Sequence, residues 1–121
     1  MAEAIDQGEQ RKTMDGLWTA EFGTADGGFG GGVAVFRDGK ILGGDATYFY
    51  VGEYKFEGKD FTATLTSSPF IEGAESLFKT SGKNLILEIA GSLTDQDHAL
   101  GLGHAKGMES LRFAVKLTRR V

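Results

Sequence analysis

The sequence predicts an all-β fold, a small antiparallel β-barrel of eight strands. Apolar residues recur at every second position in short stretches along the chain, which is the period of a strand with one buried face. Nineteen glycines and a single proline punctuate these stretches, and glycines between apolar stretches mark tight turns and bends. About eight short strands with few long connections favour an up-and-down barrel, because closure leaves no sheet edge exposed.

The 121 residues are predicted to form one domain preceded by a short extension. Residues 1–13 are polar and follow no period, so we predict a flexible N-terminal extension there. Residues 14–121 carry the alternating pattern and are the predicted barrel domain. A chain of this length buries about two-thirds of its unfolded surface. It therefore needs no disulfide to hold a core, and it contains no cysteine.

The first strands are separated by a glycine-rich run. In GLWTAEFG, Trp18 and Phe22 share one face. The run GGFGGG at 27–32 has the composition of a phosphate-binding loop. However, Val33 stands where the dinucleotide fingerprint needs glycine, and the run leads into a strand where the fingerprint needs a helix. We therefore predict a flexible loop with a glycine bend at the edge of the barrel.

Two turns bracket the next strand. The pair Asp38-Gly39 predicts a hairpin, because such turns need positive φ. In the stretch ILGGDATYFYVGEY, Gly43 and Gly44 let the chain bend sharply. The side chain of Asp45 is expected to accept hydrogen bonds from nearby backbone N–H groups. We predict that Gly43, Gly44 and Asp45 form a structural corner between two strands.

The aromatic strand over residues 48–57 has the clearest alternation. Phe49 and Val51 are predicted to point outward, and the tyrosines between and beyond them inward. Because the inward set is large, it favours an interior filled by side chains. The predicted inward aromatic residues are Trp18, Phe22, Tyr48, Tyr50, Tyr54, Phe56, Phe61 and Phe113.

The later strands are predicted from the stretches DFTATLTS, NLILEIAG, HALGLGHAKG and SLRFAVKLTRR. In the third of these, Leu100, Leu102 and His104 alternate with glycine and alanine, and we predict that they face the interior. Residues 67–82 contain the proline and lack a period. They are predicted to form an irregular connecting segment, with one helical turn over 74–78.

The sequence predicts no catalytic residues, no metal ligands and no cofactor. His98 and His104 would lie about 20 Å apart along one strand, too far to share an ion. A site formed by His98 with Asp95 and Asp97 is the alternative to a polar turn, and the turn is favoured. The nucleophile motif Gly-x-Ser-x-Gly does not occur in the sequence.

The charge and hydropathy of the chain limit its partners. A formal net charge of −4 disfavours direct binding of nucleic acid, which requires a basic excess. The opening residues lack the apolar core of a signal peptide. No apolar run approaches the ~18 residues of a membrane span. We therefore expect a cytoplasmic protein without a membrane contact.

Several stretches together resemble a known family. The sequences MDGLWTAEF, GGGVAVFRDGKILGGDATYFYVGEYKFEGKDFTATL and LRFAVKLTR are similar to the GrlR-like family of bacterial proteins, named for a negative regulator of type III secretion. The resemblance covers most of residues 14–121. It is concentrated over 30–66, around the Gly43-Gly44-Asp45 corner and the aromatic strand.

The resemblance implies a calycin-like eight-stranded barrel that is usually dimeric. The named member acts by binding a transcriptional activator and performs no catalysis. In the family, an acidic run occupies the turn after the aromatic strand. Here a glycine and a lysine break that run, and the turn reads Glu57-Gly58-Lys59-Asp60. As acidic residues of an outward polar turn, Glu57 and Asp60 are the first candidates for contacts with a protein partner.

The expected function is therefore regulation by protein–protein binding. We expect a homodimer in which Phe49 and Val51 contribute to the interface, because both point outward on the aromatic strand. The alternative is a binding protein for one small apolar ligand, since barrels of this size hold either a packed core or a single small ligand.

Overall fold

The computed structural model describes residues 13–75 and 83–121, and these form eight strands. The predicted extension over 1–13 therefore lies outside the described residues except for Thr13, and residues 76–82 of the predicted connecting segment do so too. The strands are β1 (Gly16–Gly23), β2 (Phe29–Arg37), β3 (Lys40–Gly44), β4 (Tyr48–Glu57), β5 (Asp60–Pro69), β6 (Leu85–Asp95), β7 (His98–Ala105) and β8 (Met108–Arg119).

The eight strands form one closed barrel in which each strand pairs with its neighbours in sequence. Every pairing is antiparallel, and β1 pairs with β8 to complete the circle, with Trp18 opposite Arg119. The predicted all-β, antiparallel, eight-stranded barrel is confirmed. Closure pairs both edges of every strand, which explains how short strands of five to twelve residues form a stable sheet.

The hairpin between β2 and β3 follows from its two central residues. Asp38 and Gly39 both have positive φ, at 51° and 81°. Two-residue turns of this kind match the twist of the flanking strands. Asp38 is the only non-glycine residue with positive φ in the described part of the chain, and aspartate tolerates this conformation better than most residues.

Two segments predicted as irregular belong to strands. Most of the GGFGGG run lies in β2, which begins at Phe29. Its glycines are needed for packing, because a Cβ atom on Gly30 would lie 2.7 Å from Cε2 of Phe22. Likewise β5 extends to Pro69, so that Ser67 pairs with Tyr50. The prediction of a loop was therefore wrong for residues 29–32 and 67–69, whereas residues 27–28 and 70–75 lie outside β2 and β5.

The predicted orientation of β7 was also wrong. Leu100 and Leu102 point outward and are 55% and 72% exposed, and His104 lies on the same outer face. Gly103 faces inward because the ring of Phe113 on β8 occupies the space beside it. A Cβ atom on Gly103 would lie 2.6 Å from Cζ of that ring. The residues of β7 therefore alternate as predicted, but those predicted to face inward face outward.

One end of the barrel is closed by an aromatic cluster, and we refer to it as the closed end. The ring of Trp18 lies 5.9 Å from that of Phe36, which lies 5.1 Å from that of Tyr54. The indole N–H of Trp18 donates to the carbonyl oxygen of Met14 at 2.8 Å. The Tyr54 hydroxyl donates to Oδ1 of Asp15 at 2.8 Å. Burial and this carboxylate raise the pKa of Tyr54 to about 12.

Arg119 seals the closed end. Its guanidinium lies 4.6 Å from the centre of the Trp18 ring, a favourable cation–π geometry. The same group donates hydrogen bonds to the backbone carbonyl oxygens of Asp15 at 2.6 Å, Thr13 at 3.1 Å and Gln96 at 2.7 Å. Arg119 therefore links the residues before β1 to the β6–β7 turn.

We expect Arg119→Ala to lower the free energy of unfolding by about 3 kcal/mol. The substitution leaves several partly buried carbonyl oxygens without their donor and exposes the face of the indole. Urea unfolding followed by the fluorescence of Trp18, the single tryptophan, would measure the loss.

The matched control for this variant is Arg120→Ala. Arg120 is the next residue, but it is exposed and donates to the hydroxyl of Thr19. Its removal should cost less than about 0.5 kcal/mol. Equal losses in the two variants would show that the guanidinium of Arg119 does not stabilise the closed end.

Candidate functional site

The interior of the barrel contains an apolar cavity of about 120 Å³. It lies between the aromatic cluster of the closed end and the opposite end, where β3 leads into β4. The inward side chains therefore leave part of the interior unfilled. The residues that line it are largely aliphatic and aromatic, among them Phe22, Phe61, Leu85, Leu87, Ile89 and Phe113.

The Gly43-Gly44-Asp45 corner contributes a carboxylate to this cavity. Gly43 and Gly44 end β3, and Asp45 lies in the turn that follows. Oδ1 of Asp45 accepts hydrogen bonds from the backbone N–H groups of Thr47 at 3.0 Å and Tyr48 at 2.9 Å. Its other oxygen accepts a short hydrogen bond from the hydroxyl of Tyr50. The carboxylate thus holds both the turn and an inward tyrosine.

Two tyrosines near this corner are held in the protonated form. Burial, followed by the hydrogen bond to Asp45 and its negative charge, raises the pKa of Tyr50 far above its ordinary value. Burial and the nearby charges of Asp45 and Glu75 also raise the pKa of Tyr48. Both phenols are therefore protonated at neutral pH, and the hydroxyl of Tyr50 donates its proton to Asp45.

Besides Asp45 and the two tyrosines, Ser67 contributes a polar side chain to the lining of the cavity. It lies on β5 opposite Tyr50 and Leu85 of the neighbouring strands, and only 7% of its surface is exposed. It was not predicted from the sequence, because a serine within the predicted loop over 67–82 has no expected orientation. Its inward position becomes apparent only when β5 is seen to continue to Pro69.

The outer wall of the barrel carries a continuous apolar surface on β2, β3 and β4. We call it the β3 surface, and it consists of Val33, Val35, Leu42, Phe49 and Val51. Cross-strand pairing aligns Val35 with Leu42 and Leu42 with Val51 in one row. Phe49 and Val51 are 45% and 49% exposed. The structure thus places the two predicted interface residues within a larger apolar set.

A second exposed apolar surface lies on the opposite wall. We call it the β7 surface, and it consists of Phe29, Leu100 and Leu102 around a floor of Ala90 and Ala114. Leu102 pairs with both alanines across the sheet. The strand β7 is four strands away from β3 in a ring of eight, so Leu100 and Leu102 face away from Leu42. The groove extends over β8 and β1 to Phe29 at the start of β2.

The predicted partner contacts lie far from the β3 surface. Glu57 and Asp60 face each other across the β4–β5 hairpin and both are exposed. Oδ1 of Asp60 accepts a hydrogen bond from the hydroxyl of Ser92 at 2.6 Å. Along β4, Glu57 is about 25 Å from Phe49. The structure therefore keeps the predicted acidic contact and the predicted dimer contact apart.

The two histidines contact separate carboxylates on the outer surface. Nδ1 of His98 lies 2.8 Å from Oδ1 of Asp95, and this hydrogen bond, together with one from the backbone N–H of Asp97, lowers the pKa of the Asp95 carboxyl. Nε2 of His104 lies 3.0 Å from Oε1 of Glu88. Within residues 13–75 and 83–121, no group of three His, Cys, Asp or Glu side chains could hold a metal ion.

No helix in the described part of the chain is long and apolar enough to cross a membrane. No protein-family model matches the chain, and no curated protein matches its sequence significantly. The similarity to the GrlR-like family accordingly stays a prediction from sequence.

Tyr50→Phe is expected to reduce the loss of stability that alkaline pH causes. In the unfolded chain tyrosine ionises near pH 10, whereas in the barrel the pKa of Tyr50 is raised. Its contribution to stability is therefore complete below about pH 10 and declines as pH rises toward the raised pKa. Urea unfolding of the variant and the wild type between about pH 8 and pH 11 would compare the two slopes.

The difference in stability between variant and wild type at about pH 8 is the reference for these measurements. At about pH 8, Tyr50→Phe should cost about 1 kcal/mol because Asp45 loses a hydrogen bond. A slope will persist in the variant, since Tyr54 also has a raised pKa. Parallel curves for variant and wild type would contradict the assignment of Tyr50 as a buried, protonated donor.

Proposed function

We propose that this barrel acts by binding other proteins, as a homodimer, and not by catalysis. The observation that carries the proposal is the β3 surface. Contiguous exposed apolar surface of this kind is rare on monomeric proteins and marks sites of association. The side chains in its rows are mainly β-branched or aromatic, and they stand on three paired strands, so they offer a stiff surface.

The β3 surface suits a two-fold contact with a second copy of the chain. A two-fold interface joins the same patch of both subunits, so an apolar patch needs no second, different patch to pair with. Beside it, Nζ of Lys40 and Oε2 of Glu53 form an exposed ion pair at 3.0 Å. Lys40 and Glu53 would supply the polar rim that surrounds the apolar centre of such interfaces.

The further proposal concerns the role of the dimer. By its resemblance to the GrlR-like family, the protein would be a negative regulator in the bacterial cytoplasm that sequesters a transcriptional activator of type III secretion. Glu57 and Asp60 are the proposed contacts, because an exposed acidic hairpin can guide a basic partner surface. Their distance from the β3 surface would allow a dimer to bind a partner on each subunit.

Phe49→Asp should convert the dimer to monomer. Burying an unpaired carboxylate in an apolar interface is costly, and a two-fold contact incurs this cost twice. We expect the dissociation constant of the dimer to rise by about a hundredfold or more. Light scattering across a dilution series would measure it.

Leu102→Asp is the matched control, since it introduces the same charge at an exposed apolar residue of the β7 surface. It should leave the dimer intact. A monomeric wild type would remove the proposed dimer. Dissociation by Leu102→Asp but not by Phe49→Asp would move the interface to the opposite wall.

The charge-reversed variant Glu57→Lys/Asp60→Lys should capture about tenfold less protein partner from native cytosol than the wild type. Its size in solution should not change. Glu109→Lys serves as the control, because Glu109 is an exposed acid at the β7–β8 hairpin, on the other end of the barrel. Unchanged capture by the double variant would exclude the acidic hairpin as the contact.

A second candidate function is the binding of one small apolar ligand inside the barrel. The cavity of about 120 Å³ favours it, because apolar cavities of this order bind molecules such as benzene in other proteins. This function is compatible with the first, since the cavity is inside the barrel and the β3 surface outside.

A further inference from the structure

Ser67 is a buried hydroxyl without a hydrogen-bond partner among the residues that the structure describes. Within residues 13–75 and 83–121, Ser67 and Arg119 are the two buried polar side chains. Arg119 is fully engaged with backbone carbonyl oxygens, whereas Ser67 lines the cavity. Leaving a buried hydroxyl unpaired costs about 1–3 kcal/mol. A ligand that forms a hydrogen bond with Ser67 inside the cavity would remove this cost and bind more tightly for that reason.

Water is poorly suited to satisfy this hydroxyl. A buried water usually makes about three hydrogen bonds. The inward residues nearest to Ser67 along β5 and across to β6 are Leu65 and Leu85, and neither can bond to water. Across to β4 lies Tyr50, whose hydroxyl proton is donated to Asp45. A mostly apolar molecule with one oxygen fits these walls better than water does.

The charges around the cavity restrict the ligand further. Its described lining contains one carboxylate, that of Asp45, and no lysine, arginine or histidine. An anionic ligand would be buried beside a like charge without a cation, which is strongly unfavourable. Asp45 already accepts three hydrogen bonds from its own turn and from Tyr50, so it is committed to the structure of the corner.

The volume sets the size of the ligand. A cavity of about 150 Å³ lined by aliphatic and aromatic side chains holds one benzene molecule. The cavity here, at about 120 Å³, has room for a single ring or a short branched chain. A long-chain fatty acid is excluded twice, by its length and by its charge.

We propose that the cavity binds a neutral molecule the size of one aromatic ring, whose single oxygen forms a hydrogen bond with Oγ of Ser67. The inference rests on the second candidate function and specifies its ligand: a phenol-like or small carbonyl compound that is uncharged at neutral pH. Ser67 can donate to a carbonyl oxygen or accept from a hydroxyl, so both kinds of oxygen are suitable.

Phenol, toluene and benzoate are matched probes for this proposal, and calorimetric titration would measure their binding. Phenol and toluene have the same size and differ in the oxygen. We expect Ser67→Ala to lower the affinity for phenol about tenfold, since one buried hydrogen bond is lost. The affinity for toluene should change less than about twofold. Benzoate should show no binding at millimolar concentration. Ser68→Ala is the control, because Ser68 is the next residue of β5 and faces the opposite side of the sheet; it should change neither affinity.

Variants that fill the cavity show whether the probes bind there. Ala63→Leu adds volume at a lining residue and should abolish binding of both phenol and toluene. Leu87→Phe serves the same purpose if Ala63→Leu does not fold. Probe binding that survives a folded, filled variant would lie elsewhere and would overturn the proposal.

The outcomes distinguish an error in the proposed kind of ligand from an error in the proposed ligand-binding function. Toluene binding with no effect of Ser67→Ala on phenol would refute the role of Ser67 and leave an apolar ligand site. Failure of both phenol and toluene to bind at millimolar concentration would remove the site and the second candidate function together. Tighter binding of benzoate than of phenol would overturn the prediction of a neutral ligand.

Discussion

The packing of Arg119 on Trp18 is the contact on which the rest of the barrel depends. Trp18 on β1 and Arg119 on β8 face each other across the seam that joins the first and last strands. A closed barrel needs such a seam, and a cation over an indole is strongest where water is excluded. The guanidinium also binds carbonyl oxygens on both sides of the seam, so one buried charge closes the sheet and seals one end. The cavity is thereby confined to the interior between this end and the β3–β4 corner.

On each strand, large and small side chains are divided between the inner and the outer face. This division determines where the cavity and the outer apolar surfaces lie. On β7 the inward positions are glycine and alanine. The ring of Phe113 on β8 fills the space in front of Gly103, and side chains of Ile89 and Val115 lie close to Gly101. The leucines of the same strand consequently stand outside. On β4 the order is reversed: Tyr50 and Tyr54 point inward, and Phe49 and Val51 form part of the outer β3 surface.

The strands and most of their orientations could be predicted, but the chemistry of the interior could not. Alternation identified the inward tyrosines of β4, and turn composition identified the Asp38-Gly39 hairpin. Alternation shows which residues share a face of a strand, however, and which of the two faces is buried must be inferred from the size of the side chains. That inference was wrong for β7, where the ring of Phe113 on β8 fills the space beside Gly103. Ser67 and Arg119 were missed because a serine near a proline suggests a loop, and an arginine in a basic C-terminal stretch suggests a solvated face.

The two outer surfaces differ in a way that bears on assembly. The β3 surface consists of stiff side chains in cross-strand rows, whereas the β7 surface is a groove in which Phe29 and Leu102 stand beside alanines. A contact between unlike surfaces on opposite walls would not close and would build an open chain of barrels. A contact of the β3 surface with itself closes at two copies. The Lys40–Glu53 pair joins β3 to β4 beside the β3 surface, and the Glu88–His104 pair joins β6 to β7 beside the β7 surface. Since burying these charged groups against apolar residues is costly, a contact through either surface must keep them at its polar rim.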